Sequence, residues 1–362
     1  MAEVSKTAIL GASGFIGNRL IEMAAAEGRL DAIVPVVRRA SGLALAGRFG
    51  LQGRVVSTLD RTGLASALGG CSDLVCAAAG DPRTIVESIT PIYEAARQAG
   101  LRRIIYLSSA MVHGQAPAPA TSEASPLSLK QPLAYNKAKI TAERLLQDLL
   151  ADGGPEIVIL RPGIVYGPRS RWTGGLANDL LSKTAFLADA GTGICNAVYV
   201  DNLVHAVNLA RLAKGVSGEA FLLNDRETIQ WRDLVAPLAE ALGIELEALP
   251  RPAAQDLLRS MGGLYQRVLL PAARGAVGLL PKRLAEAQRA ARRALRGLNI
   301  DDDRGPSQSA EAVREMALLQ SCRTRLSSAK AERMLGYDPP IRFAEACRRC
   351  VEWLRFADYP VR

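Results

Sequence analysis

Gly11-Ala-Ser-Gly14-Phe-Ile-Gly17 stands between a short apolar run, residues 6–10, and Asn18-Arg-Leu-Ile-Glu-Met-Ala-Ala-Ala, a segment of good helix formers. The pattern predicts a strand, a glycine-rich turn and a helix, in that order. Glycines at 11, 14 and 17 let the backbone approach a pyrophosphate closely. The helix beyond them turns its unpaired N–H groups and the positive end of its dipole toward the phosphates. Tight strand–helix turns also use glycine for steric reasons alone, so the place of this triplet in the chain matters. It falls in the first unit of an alternating series.

Working outward, further apolar runs follow at 32–37, 54–58, 73–78, 103–107 and 156–160. Helix-forming stretches lie between most of them, including 84–98 and 135–150. Short apolar strands alternating with helices predict a parallel sheet covered on both faces, which is a doubly wound α/β domain. Residues 1–165 are assigned to it. From Arg161 onward the pattern is irregular, with helical segments near 175–184, 202–212 and 231–242, and with Phe221-Leu-Leu223 readable as one more strand. Residues 166–362 are therefore expected to form a smaller, mostly helical substrate lobe, with about 197–223 returning to the sheet domain. A last amphipathic helix is expected over 343–356, and a mobile polar loop over 299–309.

Hydrophobic residues make up 49% of the 362 and charged ones 22%, a globular balance with a sizeable core. Aromatics at 5% are too few for a base-stacking surface, so nucleic acid is not an expected partner. The net charge of +9 is local: 251–300 holds ten Lys/Arg against two Asp/Glu and so carries +8 of it. That stretch reads as two or three helices broken at Pro271 and Pro281. Leu257, Met261, Leu264 and Val268 recur at helical spacing with Arg259 and Arg267 among them. Two readings stay open there, a peripheral contact with an anionic membrane and helices packed on the substrate lobe with solvated arginines. Two histidines are too few for His-rich metal chemistry, and Cys347-Arg-Arg-Cys350 has no second pair to complete a zinc site. Reduced cysteines and no metal are expected. Neither a signal leader nor a run of ~20 apolar residues is visible, so the expected location is cytoplasmic, or peripheral at the inner face of a membrane. A small-molecule substrate is the expected partner, with a homodimer as the open alternative to a monomer.

Cofactor type is read at the end of the second strand, where an acidic residue would favour NAD by accepting from the ribose 2′-hydroxyl. Here the strand ends in Arg38-Arg39, and Arg38 stands 21 positions after Gly17. A guanidinium suits a 2′-phosphate, so NADP(H) is preferred, with NAD(H) the alternative. Tyr135-Asn-Lys-Ala-Lys139 places a phenol and an ammonium four apart on one helix face. A nearby cation stabilises a phenolate, which makes a tyrosine usable as acid or base. The fifth strand ends in Leu107-Ser108-Ser109-Ala110, at the edge where open α/β sheets place their ligands.

Glycine turn, strand-end serine and Tyr/Lys pair together resemble the extended short-chain dehydrogenase/reductases, the NAD-dependent epimerase/dehydratase and 3β-hydroxysteroid dehydrogenase group. The resemblance covers nearly the whole chain and includes GASGFIG at 11–17, YLSSAMVHG at 106–114, RPGIVYGP at 161–168 and YVDNLVHA at 199–206. It implies a Rossmann fold, with Ser109 as the catalytic hydroxyl and Tyr135 as the proton donor and acceptor. Lys139 would bind the nicotinamide ribose and tune Tyr135, and Ser108 would pack under the strand end. Cofactor contacts are implied at Gly11, Ser13, Gly14, Phe15, Ile16, Gly17, Arg38, Asp60, Ala78, Tyr135, Lys139, Pro162, Gly163 and Val165. His113 replaces the usual tyrosine of the strand-end Val-Tyr-Gly, where substrate contact and simple solvation are both open. Ile85 stands where many members carry an asparagine.

Sugar-nucleotide members tend to carry Asn at the position of Ile164 and Arg-Asp at the positions of Cys195 and Asn196. An apolar residue and a thiol cannot pair with a diphosphate. The match is therefore closer to the reductase and hydroxysteroid branch. The leading expectation is an oxidoreductase interconverting a ketone and a secondary alcohol. The alternatives are a nucleotide-sugar epimerase or dehydratase with recycled cofactor, and a redox-inactive NADPH-binding sensor.

Overall fold

A computed structural model describes residues 5–259 and 309–362. The strands among them are β1 (Thr7–Leu10), β2 (Ile33–Val37), β3 (Arg54–Val55), β4 (Asp73–Cys76), β5 (Arg103–Leu107) and β6 (Glu156–Pro162). Then come β7 (Ile164–Tyr166), β8 (Ile194–Cys195), β9 (Ala197–Tyr199), β10 (Ala220–Leu223) and β11 (Ile229–Gln230). Seven of these form one sheet in the order β10-β6-β5-β4-β1-β2-β3, with every pairing parallel. This is the doubly wound α/β arrangement that the alternating runs predict.

Strand periodicity divides the core into two layers. On one face Ala8, Leu10, Leu74, Cys76, Ile104 and Tyr106 meet α3 (Arg61–Leu68), α5 (Ile89–Gln98) and α6 (Ala134–Leu150). On the other, Ile9, Val75, Ile105, Leu107, Val158 and Phe221 meet α1 (Phe15–Ala26) and α8 (Val200–Leu212). The strand order reverses between β1 and β4, and the carboxyl ends of strands at such a switch point are where open α/β sheets place their ligands.

A third cluster gathers much of the later chain. It joins Ile164 and Tyr166 of β7 to α7 (Leu176–Leu181), α9 (Trp231–Ala241) and the final helix Phe343–Phe356. A smaller cluster packs α10 (Ala254–Arg259) against helix Ala310–Gln320 through Ala254, Leu257, Val313 and Ala317. The chain thus leaves the described structure at 259 and re-enters it at 309 on two helices that touch. The expected basic helices beyond 259 and the loop over 299–308 lie outside the described residues. Late in the chain, helix Ala329–Leu335 seals the outer strand β10: the Ser328 hydroxyl accepts from the Asn224 amide at 3.0 Å, and Lys330 bonds the Ala220 carbonyl at 2.9 Å. Among the described residues no helix is long and apolar enough to cross a membrane.

Two local expectations change. The helix expected over 84–98 is split into α4 (Pro82–Glu87) and α5 at Ser88. Pro91 has no N–H to return to the Glu87 carbonyl, so the ladder cannot run through. The third strand is two residues rather than five, an edge strand whose Val55 is half exposed. The pattern also gives no warning of β7, β8, β9 and β11, because two- and three-residue strands are too short to show alternation.

Candidate active site

The glycine turn is built so that only glycine fits. Gly11 has φ +88°, and a Cβ there would lie 2.7 Å from the Ala78 amide nitrogen. A Cβ at Gly17 would lie 2.2 Å from the Gly11 carbonyl oxygen. Gly14 caps α1 without offering a side chain, and no acidic residue stands in the first turn. The opening of a twelve-residue helix at the switch point therefore offers backbone donors and no competing carboxylate, which fits a pyrophosphate. Ser13 lies beside Gly42, and a Cβ on that glycine would be 3.1 Å from its hydroxyl. Arg38 and Arg39 follow β2 directly and are exposed. Asp60 caps α3, accepting from the Gly63 amide at 2.9 Å.

The end of β5 is the meeting point. Ser109 follows that strand by two residues and caps a short 3-10 turn, Ala110–His113, its hydroxyl accepting from the Met111 amide at 3.1 Å. Tyr135 and Lys139 stand in the first turns of α6. Lys139 Nζ donates to the Leu107 carbonyl at 2.8 Å and to Tyr106 Oη at 3.3 Å, and it lies 6.0 Å from the centre of the Tyr135 ring. The same strand end thus gathers all three chemistry-bearing residues named from the sequence. Burial alone would disfavour the Lys139 ammonium, but the phenols of Tyr106 and Tyr135 outweigh it and hold the group above the ordinary lysine value. Tyr106 is pushed up to about 12, chiefly by burial, and so remains a phenol.

Three amides fasten α6 to the Ser109 turn. Gln131 donates to the Val112 carbonyl at 2.9 Å, and Asn136, fully buried beside Tyr135, donates to Gln131 Oε1 and to Gln115 Oε1, each at 3.0 Å. Moving the Ser109 turn away from α6 would therefore break these bonds. Ser108 lies beneath, bonded to Glu143, in keeping with a packing role. Glu143 pairs with Arg161 at 2.6 Å, both buried, and Arg161 reaches on to His113 Nε2 at 3.2 Å. His113 is thus not simply solvated. Burial and the neighbouring guanidinium push it down to about 4. Since arginine can only donate, Nε2 must accept and the ring proton sits on Nδ1.

At the end of β6 the Gly163 amide donates to the Leu223 carbonyl at 3.0 Å, which sets the loop holding Pro162, Gly163 and Val165. Behind it Asp225 accepts from Tyr166 Oη at 3.0 Å and Asn202 Nδ2 at 2.7 Å. Burial raises Asp225 to about 6 against those bonds. Ile164 and Cys195 are buried, and Asn196 is committed to the Thr324 carbonyl at 2.9 Å and the Leu326 amide at 2.8 Å. All six cysteines are free and buried. No group of three or more possible metal ligands occurs among the described residues.

Sequence reasoning did not find Tyr106, Glu143, Arg161, the three amides or Asp225. One signal was available: Arg161 ends an otherwise apolar run, and a charge there requires a buried partner.

A family model described as the NAD dependent epimerase/dehydratase family matches residues 7–223. A 3beta-hydroxysteroid-dehydrogenase/decarboxylase isoform 1 from Arabidopsis thaliana is 25% identical over 286 residues, 74% of this chain and 56% of that protein. The chain thus matches little more than half of that plant protein's length. A 3-diazoavenalumate denitrifying reductase from a Streptomyces species is 28% identical over 289 residues, 74% of this chain and 90% of that one. In fold, a dTDP-glucose 4,6-dehydratase from Streptomyces venezuelae superposes with a TM-score of 0.69 at 19% identity, covering 97% of each chain.

Proposed function

Since the chain belongs to the NAD dependent epimerase/dehydratase family and is an enzyme of the extended short-chain dehydrogenase/reductase type, we propose that it interconverts a ketone and a secondary alcohol on a small, fairly apolar substrate. The observation that carries this reading is the gathering of Ser109, Tyr135 and Lys139 at the end of β5. A bound nicotinamide supplies or accepts the hydride. Tyr135 Oη gives its proton to the carbonyl oxygen, or takes it from the alcohol, while Ser109 Oγ holds that oxygen in place. Lys139 steadies the negative charge that develops on the Tyr135 oxygen and meets the cofactor ribose. Gly11, Ser13, Gly14, Phe15, Ile16 and Gly17 cradle the pyrophosphate. Asp60 and Ala78 flank the adenosine side, and Pro162, Gly163 and Val165 the nicotinamide side.

Two finer points belong to the same reading. Arg38 and Arg39, exposed at the end of β2, favour NADP(H) through a 2′-phosphate. The buried side chains of Ile164 and Cys195, together with the internally bonded Asn196, leave nothing at those positions to pair with a sugar-nucleotide diphosphate. The family's own description keeps a second reading in view, an epimerase or dehydratase that returns the hydride to its substrate. Purified protein separates them. A reductase oxidises NADPH with members of a carbonyl panel, whereas an epimerase retains cofactor and shows no net consumption. Cofactor binding with no turnover of either kind would leave a sensor.

A further inference from the structure

We propose that Tyr106 is a positioning residue for Lys139, its hydroxyl fixing the direction and the charge of the buried ammonium. This rests on the assignment of Lys139 to the active site. An ammonium has three N–H donors and no acceptor. Two of the three are taken on the inner side, by the Leu107 carbonyl at 2.8 Å and by Tyr106 Oη at 3.3 Å. The remaining donor is what the side chain has to offer Tyr135 and a ligand.

The placement follows from periodicity. Successive strand residues face opposite sides of the sheet, so Ile105 joins the α1/α8 layer and Tyr106 joins the α6 layer. That puts the phenol beneath the helix face on which Tyr135 and Lys139 lie one turn apart. Lys139 is 4% exposed and Tyr106 3%, so water does not solvate the charge. The leading groups acting on the ammonium are Tyr106 from β5, Tyr135 from its own helix and Cys76 from β4. None of them is a carboxylate. The Tyr106 ring adds a cation–π contact, with Nζ 4.7 Å from its centre. A buried cation depends on such dipoles, and the Tyr106 hydroxyl is a side-chain dipole hydrogen-bonded to it.

Tyr106→Phe isolates this role, because it keeps the ring and its contact with Nζ and removes one oxygen. The readout is the Nζ ammonium resonance of Lys139 at neutral pH in the full chain carrying 15N-lysine, assigned by its loss in Lys139→Met. In Tyr106→Phe that resonance is expected to shift and its proton exchange with water to quicken severalfold, because one acceptor of its three N–H donors is gone. Cys71→Ala, in the same core layer, is the control and should leave the resonance in place. An unchanged resonance in Tyr106→Phe, or an equal change in Cys71→Ala, would overturn the proposal. NADH affinity is measured alongside and should weaken in Tyr106→Phe and hold in Cys71→Ala. If the parent does not bind NADH, the dinucleotide-enzyme reading fails, while the resonance still decides the role of Tyr106.

Discussion

Tyr135→Phe keeps the ring and its packing and deletes one transferable proton. It is expected to slow turnover about 10²–10⁴-fold while leaving cofactor affinity near the parent value. Lys139→Met should lose comparable activity and also weaken cofactor binding, since the proposed mechanism gives its ammonium both the Tyr135 phenol and the ribose to serve. Ser109→Ala should slow turnover alone. Steady-state kinetics with NADPH titrations read this pattern, and full activity in Tyr135→Phe would remove the proposed chemistry. Arg38→Ala tests cofactor choice: the ratio of NADP⁺ to NAD⁺ affinity should fall by about tenfold or more, the value of one charge-assisted contact. Two groups in the protein interior and at its edge, Asp225 and His113, make stability depend on pH with opposite signs. His113, ordinarily 6.5 and about 4 here, contributes stability above 6.5 that is lost as pH falls toward 4. Asp225, ordinarily 3.8 and about 6 here, contributes stability below 3.8 that is lost as pH rises through 6. The drop in Tm between pH 7 and pH 5 should therefore shrink in His113→Gln and grow in Asp225→Asn. Equal drops in both variants would contradict these assignments.

At the scale of elements, α6 is held to the sheet from below by Glu143 and Arg161, whose side chains pair at 2.6 Å in the interior. Arg161→Met leaves a carboxylate buried beside Ser108 and should cost about 3–5 kcal/mol in urea unfolding. Adding Glu143→Leu removes the stranded charge and should recover part of that loss, a coupling that a double-mutant cycle measures. This network explains what the sequence could and could not disclose. The strand–turn–helix at 7–26 and the Tyr135/Lys139 pair were legible because each is local, a glycine spacing and an i,i+4 relation. The family resemblance supplied the role of Ser109. The Arg161 partnership joins residues 18 and 48 positions apart, and no local pattern records such a distance. Helix limits were legible where apolar periodicity ran on, as over Phe343–Phe356. They were misread at Ser88, where a proline further along decided the break.

Over the whole molecule, the packing of α10 on helix Ala310–Gln320 brings the two ends of the 260–308 segment together. Replacing that segment with a short Gly/Ser linker should therefore leave the Tm and the NADH affinity of the rest within experimental error. A collapse of either would show that the segment supplies core contacts. The same pair of proteins tests the membrane reading, since salt-sensitive co-sedimentation with anionic vesicles should be present in the full chain and lost on excision. The late seal on β10 has a different kind of consequence, one of timing. β6 ends at residue 162, but the neighbour that covers its outer edge arrives at 220–223, and the residues that seal that neighbour lie at 328–335. During synthesis at roughly 5–20 residues per second, a ribosome needs about 8–35 s to travel from the first of these points to the last. Throughout that interval the nascent sheet carries an open, apolar parallel edge, the kind of surface that recruits a chaperone or pairs with another chain.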